Sequence, residues 1–254
     1  MMINLSVLEV GVIGFLAQII DGALGMGYGV TSSTLLISFG IPPALASASA
    51  HTSELFTTFV SGISHFKLGN VRKDLLRPLI SSGIIGGILG ACGLVTLPSK
   101  PIKLVVGFIL MSMGGLIFYR FLFRRGKINT EIKTYPPSRL RTLGFFAAFI
   151  DAMGGGGWGP ICTPSLVLTG TEPDKAVGSV NLAEFFITIA IAATFLALIG
   201  PEKFRWDIVL ALAIGGIVAA PLAAFICRKL PKRLLGILVG LAVIILSLRI
   251  LLRR

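Results

Sequence analysis

Residues 150–185 read IDAMGGGGWGPICTPSLVLTGTEPDKAVGSVNLAEF. Asp151 closes an apolar run, a burst of glycines follows, and a short apolar piece leads to a Gly-Thr-Glu-Pro turn. The stretch ends on a second long apolar segment that carries Asn181 and Glu184. The same layout occurs earlier, at an offset of 151 − 21 = 130. Gly25, Gly27 and Gly29 fall on Gly155, Gly157 and Gly159, and Tyr28 falls on Trp158. Gly40, Pro43, Ser49, Glu54 and Thr58 fall on Gly170, Pro173, Ser179, Glu184 and Thr188. Chance does not put so many Gly, Pro and acidic residues in one register, so the chain contains an internal repeat.

Working outward, the 254 residues are 54% hydrophobic and 13% charged, with a mean hydropathy of +0.91. A soluble domain of this size needs more polar surface. Several apolar runs approach or exceed the roughly 20 residues that span a bilayer. The expected fold is an all-α polytopic integral membrane protein. The net charge of +12 does not read as nucleic-acid binding, because Lys and Arg sit in short segments between apolar runs, as in cytoplasmic loops. Cys92, Cys162 and Cys227 lie apart, form no CxxC, and read as small packing residues. The N-terminus lacks a positive n-region and a small-x-small cleavage site, so it reads as a retained first helix.

Each repeat is expected to hold a glycine-broken first helix and three long spans, about 8–10 membrane segments in all. The spans fall near 5–22, 30–40, 43–66, 75–97 and 102–123, then 140–153, 160–169, 173–199, 207–229 and 233–252. The division is residues 1–123 for the first repeat, 124–138 for a basic polar linker and 139–254 for the second repeat. Arg72, Asp74 and Leu97-Pro98 return as Arg205, Asp207 and Leu230-Pro231 at an offset of 133, so the repeat covers nearly the whole chain. Counting Lys and Arg per loop does not separate parallel from inverted repeats. The uncharged N-terminus and the glycine-interrupted segments at matching places lean to inversion.

The glycine breaks carry the first chemical signal. Unpaired backbone at membrane depth is tolerated only inside protein or along a wet cavity. A break also leaves a half-helix N-terminus whose N–H groups and dipole suit an anion. Close helix packing through small residues is the plainer alternative. On residues 43–66, Ser47, His51, Glu54, Thr58, Ser61 and His65 follow steps of three and four, so one polar stripe faces the interior or a water-filled cavity. Glu54 and Glu184 read either as proton-coupling carboxyls or as groups that cap backbone. Asp21 and Asp151 read as carboxylates that accept the N–H groups of the breaks, or as proton relays. His51 can titrate near neutral pH or serve as a hydrogen-bond partner. Asn181 is a neutral donor suited to an anion's oxygen. His65 and Lys67 are expected at a membrane edge, and Arg72 and Arg205 as loop anchors. Tyr28 and Trp158 either wall the site or pack.

With these residues in hand, the chain resembles the TauE/SafE sulfite exporter family, also called the toluene-sulfonate uptake permease family. The resemblance rests on GALGMGYG…GIPPALASAS and GGGGWGPICTP…GTEPDKAVGS and covers essentially the full length. It implies a secondary transporter of a small sulfur-containing anion such as sulfite, a sulfonate or sulfoacetate, in the bacterial inner membrane; the carboxyls at membrane depth, read by themselves, add the expectation of proton coupling. It implies an anion site at Gly155, Gly156, Gly157, Ser179 and Asn181, with Gly27, Ser49 and His51 opposite. Proton coupling or gating falls to Asp21, Glu54, Asp151 and Glu184. One departure is Thr34, where the second repeat has Pro164.

The alternative is a cation or metal transporter using His51 and Glu54. An intramembrane aspartyl protease is disfavoured by the missing Y-D and G-x-G-D motifs, and no enzyme is expected. No nucleotide-binding loop occurs, so neither ATP nor another cofactor is expected, nor a metal site or a nucleic-acid partner. Oligomeric state is not written in these residues, and a homodimer is admitted.

Overall fold

A computed structural model describes residues 6–97, 99–123 and 135–226 and parts of 237–252. The expected linker thus falls mostly outside the described residues, as do Cys227, the Leu230-Pro231 match and much of the last span. Nine α-helices are described: α1 (Val7–Leu24), α2 (Tyr28–Ser38), α3 (Pro43–Lys67), α4 (Lys73–Thr96), α5 (Ser99–Phe123), α6 (Pro137–Gly154), α7 (Trp158–Leu168), α8 (Pro173–Ile199) and α9 (Trp206–Ile226). Residues described between 237 and 252 are helical and lie against α5, where a Cβ on Gly114 would meet the Val243 side chain at 2.9 Å. No strand occurs among the described residues.

Among the described residues, five helices are long and apolar enough to cross a membrane: α1, α4, most of α5, α8 and most of α9. Their outward faces are apolar, with Phe108, Ile214 and Phe225 each more than 60% exposed. The polar residues point the other way. Ser47, His51, Glu54, Thr58, Ser61 and His65 of α3 are all buried, as the stripe requires of a helix that cannot show hydroxyls and carboxyls to lipid.

The repeat is visible in the backbone. Gly25 and Gly155 end α1 and α6 in the left-handed region, at φ 66° and φ 73°, where a side chain is strained. Each sends its N–H to the carbonyl of the aspartate four residues back, at 2.6 Å to Asp21 and 2.8 Å to Asp151. The turns at Gly40 and Gly170 match likewise, at φ 100° and φ 103°. Pro43 and Pro173 then open α3 and α8, where a missing N–H costs nothing.

Helix partners are exchanged between the repeats. α1 packs on α9 and α6 on α4, while α3 and α8 meet each other. Glycines set the close approach: a Cβ on Gly14 would lie 2.8 Å from Leu212 Cα, and one on Gly86 would lie 2.9 Å from the Phe145 carbonyl carbon. In lipid, where apolar burial gives helices no reason to associate, such small-residue packing supplies the attraction.

Contacts also fix direction. Gly62 abuts Leu182, the Phe59 and Phe185 rings lie 5.2 Å apart, and those of His51 and Phe195 lie 6.1 Å apart. Numbers fall on α3 as they rise on α8, so the two run antiparallel. On α1 and α9 the contacts rise together, from Gly14–Leu212 to Gly22–Ala223, and so do Leu79–Gly144 and Gly90–Phe149 on α4 and α6. Gly83–Ile187 and Gly87–Ile191 make α4 and α8 parallel. Since α9 turns back after α8 through the short 3-10 turn Pro201–Lys203, α1, α3 and α9 share one direction, and α4, α6 and α8 share the other. These are the directions of inverted repeats. With α1 and α3 alike, α2 must return between them. Its 11 residues give about 16 Å of helix, half the hydrocarbon thickness.

Candidate functional site

The two breaks meet at the centre of the molecule. A Cβ on Gly29 would lie 2.9 Å from the Gly155 carbonyl oxygen, and one on Gly159 would lie 2.6 Å from Met26 Cα. Thr163 donates its hydroxyl to the Gly25 carbonyl at 2.6 Å, stitching α7 to the first break. Between the breaks lies a small cavity of about 10 Å³, room for about one water. Its lining includes Gly27, Gly29, Gly156, Gly157, Tyr28 and four carboxyl residues, Asp21, Glu54, Asp151 and Glu184. All four are under 5% exposed.

Each carboxyl reaches the cavity for a local reason. Asp21 and Asp151 stand one turn before the ends of α1 and α6, where the chain bends to start α2 and α7. Asp151 Oδ1 accepts the N–H groups of Gly157 at 2.7 Å and Trp158 at 3.1 Å, which caps α7. Asp151 Oδ2 lies 3.0 Å from His51 Nε2. Glu54 and Glu184 stand at matching steps of α3 and α8, on faces turned inward. Among the described residues, Asp21 Oδ2, Glu54 Oε2 and Glu184 Oε2 have no hydrogen-bond partner. A buried, unpaired carboxylate oxygen calls for a proton, a water or a ligand.

Of the anion-site residues expected from sequence, the structure brings Gly27, Gly156 and Gly157 to the cavity. Gly155 sits beside it, against Ser33 and Gly29. Ser49 is buried on α3 and is not part of the lining. Ser179 lies towards the start of α8 and accepts the Arg72 backbone N–H at 2.8 Å. Asn181 accepts the Ser61 hydroxyl at 2.7 Å and donates to the Val177 carbonyl at 3.2 Å. His51 reaches the site through Asp151. Its Nδ1 lies 2.8 Å from the Ser47 carbonyl, so both ring nitrogens are engaged.

The remaining expectations divide. Tyr28 lines the cavity, with its hydroxyl 3.0 Å from that of Ser53, while the Trp158 indole is buried and donates to the Val180 carbonyl at 3.1 Å. Arg72 and Arg205 fork onto Asp74 and Asp207, the same two-residue step in both repeats. His65, expected at a membrane edge, is wholly buried and accepts from the Asn70 amide at 3.3 Å. Among the described residues, Cys92 and Cys162 are unpaired thiols. The sequence reading missed Ser33 and took Thr34 only as a departure from Pro164; both are buried on α2 without a hydrogen-bond partner among the described residues. The run Thr31-Ser32-Ser33-Thr34 directly after the break was the available signal.

Inverted helix directions, half-length helices and a buried polar cavity where they meet define a polytopic membrane transporter. Residues 10–250 match the family described as Sulfite exporter TauE/SafE, and the chain belongs to that family. It is similar to the probable membrane transporter protein YtnM of Bacillus subtilis (strain 168), at 46% identity over 240 residues, 93% of this chain and 80% of that protein. No solved structure matches the chain.

Proposed function

We infer that this transporter moves a small sulfur-containing oxyanion, sulfite or a sulfonate such as sulfoacetate, together with protons across the bacterial inner membrane. The observation that carries this reading is the meeting of two half-helix N-termini, α2 and α7, at one cavity lined by four buried carboxyls. The N-termini favour negative charge. The carboxyls oppose it unless they are protonated, and in that form they donate hydrogen bonds to an anion's oxygens. Anion and proton therefore occupy the site together. The family's name, sulfite exporter, supports the substrate class. The cavity offers room for little more than a water here, so this conformation is closed and the substrate enters by separation of the breaks.

A cation reading draws on the same unpaired carboxyl oxygens. It is weakened at His51, whose two nitrogens both face protein oxygens. The test is flux in proteoliposomes of the purified protein, with sulfite, sulfoacetate, sulfate and divalent metals as probes, with and without a pH gradient. Gradient-dependent sulfite or sulfonate flux that is lost in Glu184→Gln supports the reading. Flux of metals alone overturns it.

A further inference from the structure

Asp21 and Asp151 hold the same step of their repeats, and their surroundings differ. Asp151 has both oxygens engaged, by Gly157, Trp158 and His51. His51 Nδ1 faces a carbonyl oxygen, which can only accept, so that nitrogen carries a hydrogen. The contact between Nε2 and Asp151 Oδ2 then holds one shared proton. As imidazolium with carboxylate, or as imidazole with carboxylic acid, the pair is electrically neutral. Ser47 donates its hydroxyl to the Ala152 carbonyl at 2.8 Å, which fixes this part of α3 to α6.

The first repeat keeps only part of this arrangement: the Tyr28 backbone bonds to Asp21 as that of Trp158 does to Asp151, but no histidine stands opposite. The counterpart of His51 is Asn181, and its amide is taken up by Ser61 and Val177. Asp21 Oδ2 is left without a partner among the described residues, as are Glu54 Oε2 and Glu184 Oε2 at the same cavity. The other titratable groups near them are Tyr28 on α2, tied to Ser53 and the Leu212 carbonyl, and buried Cys162 on α7. The one acid on α9, Asp207, lies in its first turn and pairs with Arg205.

We propose that, within the proton-coupled reading above, the repeats divide the work. Asp21, Glu54 and Glu184 take and release the transported protons, and His51 with Asp151 forms a fixed clamp on the second break. His51 is then a positioning residue. The break that loosens on protonation is the first, where the aspartate's hold on the chain is incomplete.

The test uses the full chain in proteoliposomes with sulfite as the probe, comparing exchange at equal pH with uptake driven by a pH gradient. The wild type is read first: no sulfite flux, or flux indifferent to the gradient, overturns the proton-coupled anion reading itself. With a gradient effect in hand, Asp21→Asn is expected to lose it, the ratio of driven to exchange flux falling to that of liposomes at equal pH. Asp151→Asn and His51→Gln are expected to lower thermal stability and both fluxes together, with the ratio unchanged. Uncoupling by Asp151→Asn, or an Asp21→Asn protein that keeps its gradient effect, overturns the division. Infrared difference spectra of detergent-purified protein give an arm independent of flux and of sulfite. The pH-dependent band of protonated buried carboxyl is expected to survive in His51→Gln and to shrink in Asp21→Asn. Its loss in His51→Gln also overturns the proposal.

Discussion

Ser61 donates its hydroxyl to the side-chain oxygen of Asn181 at 2.7 Å, joining α3 to α8 where the two repeats cross. Both residues are wholly buried. Ser61→Ala leaves the Asn181 oxygen without that donor. Bonds of this kind between membrane helices average about 0.6 kcal/mol and reach about 1.7 kcal/mol in double-mutant cycles. A Ser61→Ala/Asn181→Ala cycle on purified protein is expected to show a coupling in that range. A coupling of zero would mean the bond is not formed in the membrane.

Two glycines, one on α4 and one on α5, separate packing from propensity. A Cβ on Gly86 would press on the Phe145 backbone, whereas one on Gly115 would meet nothing within 4 Å. Gly86→Ala is expected to destabilise by about 1–3 kcal/mol through overpacking. Gly115→Ala is expected to be neutral or to gain up to about 1 kcal/mol of helix preference. Thermal unfolding in detergent compares them, and equal effects would show that α4 and α6 are not packed this closely.

Tryptophan emission reports on the break. Of the chain's two tryptophans, Trp158 begins α7 and is fully buried, while Trp206 is 41% exposed. Trp206→Phe leaves a single, blue-shifted emitter beside the cavity. Opening of the breaks by substrate is expected to move that emission to the red. A spectrum unmoved at concentrations that saturate transport would place the opening elsewhere.

Ser179 distinguishes anchoring from binding. Its hydroxyl accepts the Arg72 backbone N–H and is absent from the cavity lining. Ser179→Ala is expected to cost about 1 kcal/mol, the worth of a typical hydrogen bond, and to leave the apparent KM for the transported anion unchanged. A raised KM with unaltered stability would return Ser179 to the substrate.

The fold was largely legible because glycine and proline are tied to backbone shape. Gly25 and Gly155 end helices in the left-handed region, and Pro43 and Pro173 open them, so a register of such residues marks a register of bends. The polar stripe on α3 was legible because helical period assigns a face. Depth and partner are not periodic properties. Ser179, Asn181 and Glu184 all turn inward from α8, yet of these the cavity lining includes Glu184 alone. The contact between His51 and Asp151 spans 100 positions of chain, and nothing local in either segment announces it. Inversion was undecided by counting charge because loop charge reports only on sides of the membrane. It follows from which residues of α3 meet which of α8.

The matched breaks also differ in one torsion angle: Gly27 has φ 124° and Gly157 has φ −178°. Halves of opposite direction can alternate access by trading shapes, each adopting the form its counterpart has just left. Under such an exchange, Gly157 takes up the angle now held by Gly27, one that only glycine adopts without strain. A Cβ on Gly157 would already lie 3.1 Å from the Asp151 backbone nitrogen here, and the larger demand for glycine at 157 then comes from a conformation other than this one. Gly157→Ala should bias the transporter towards the arrangement described here, slowing its cycle at the half whose backbone angle looks ordinary. Spin-label distances across the two breaks that keep one population in the variant and show two in the wild type would reveal that arrest, and two populations in both would refute it.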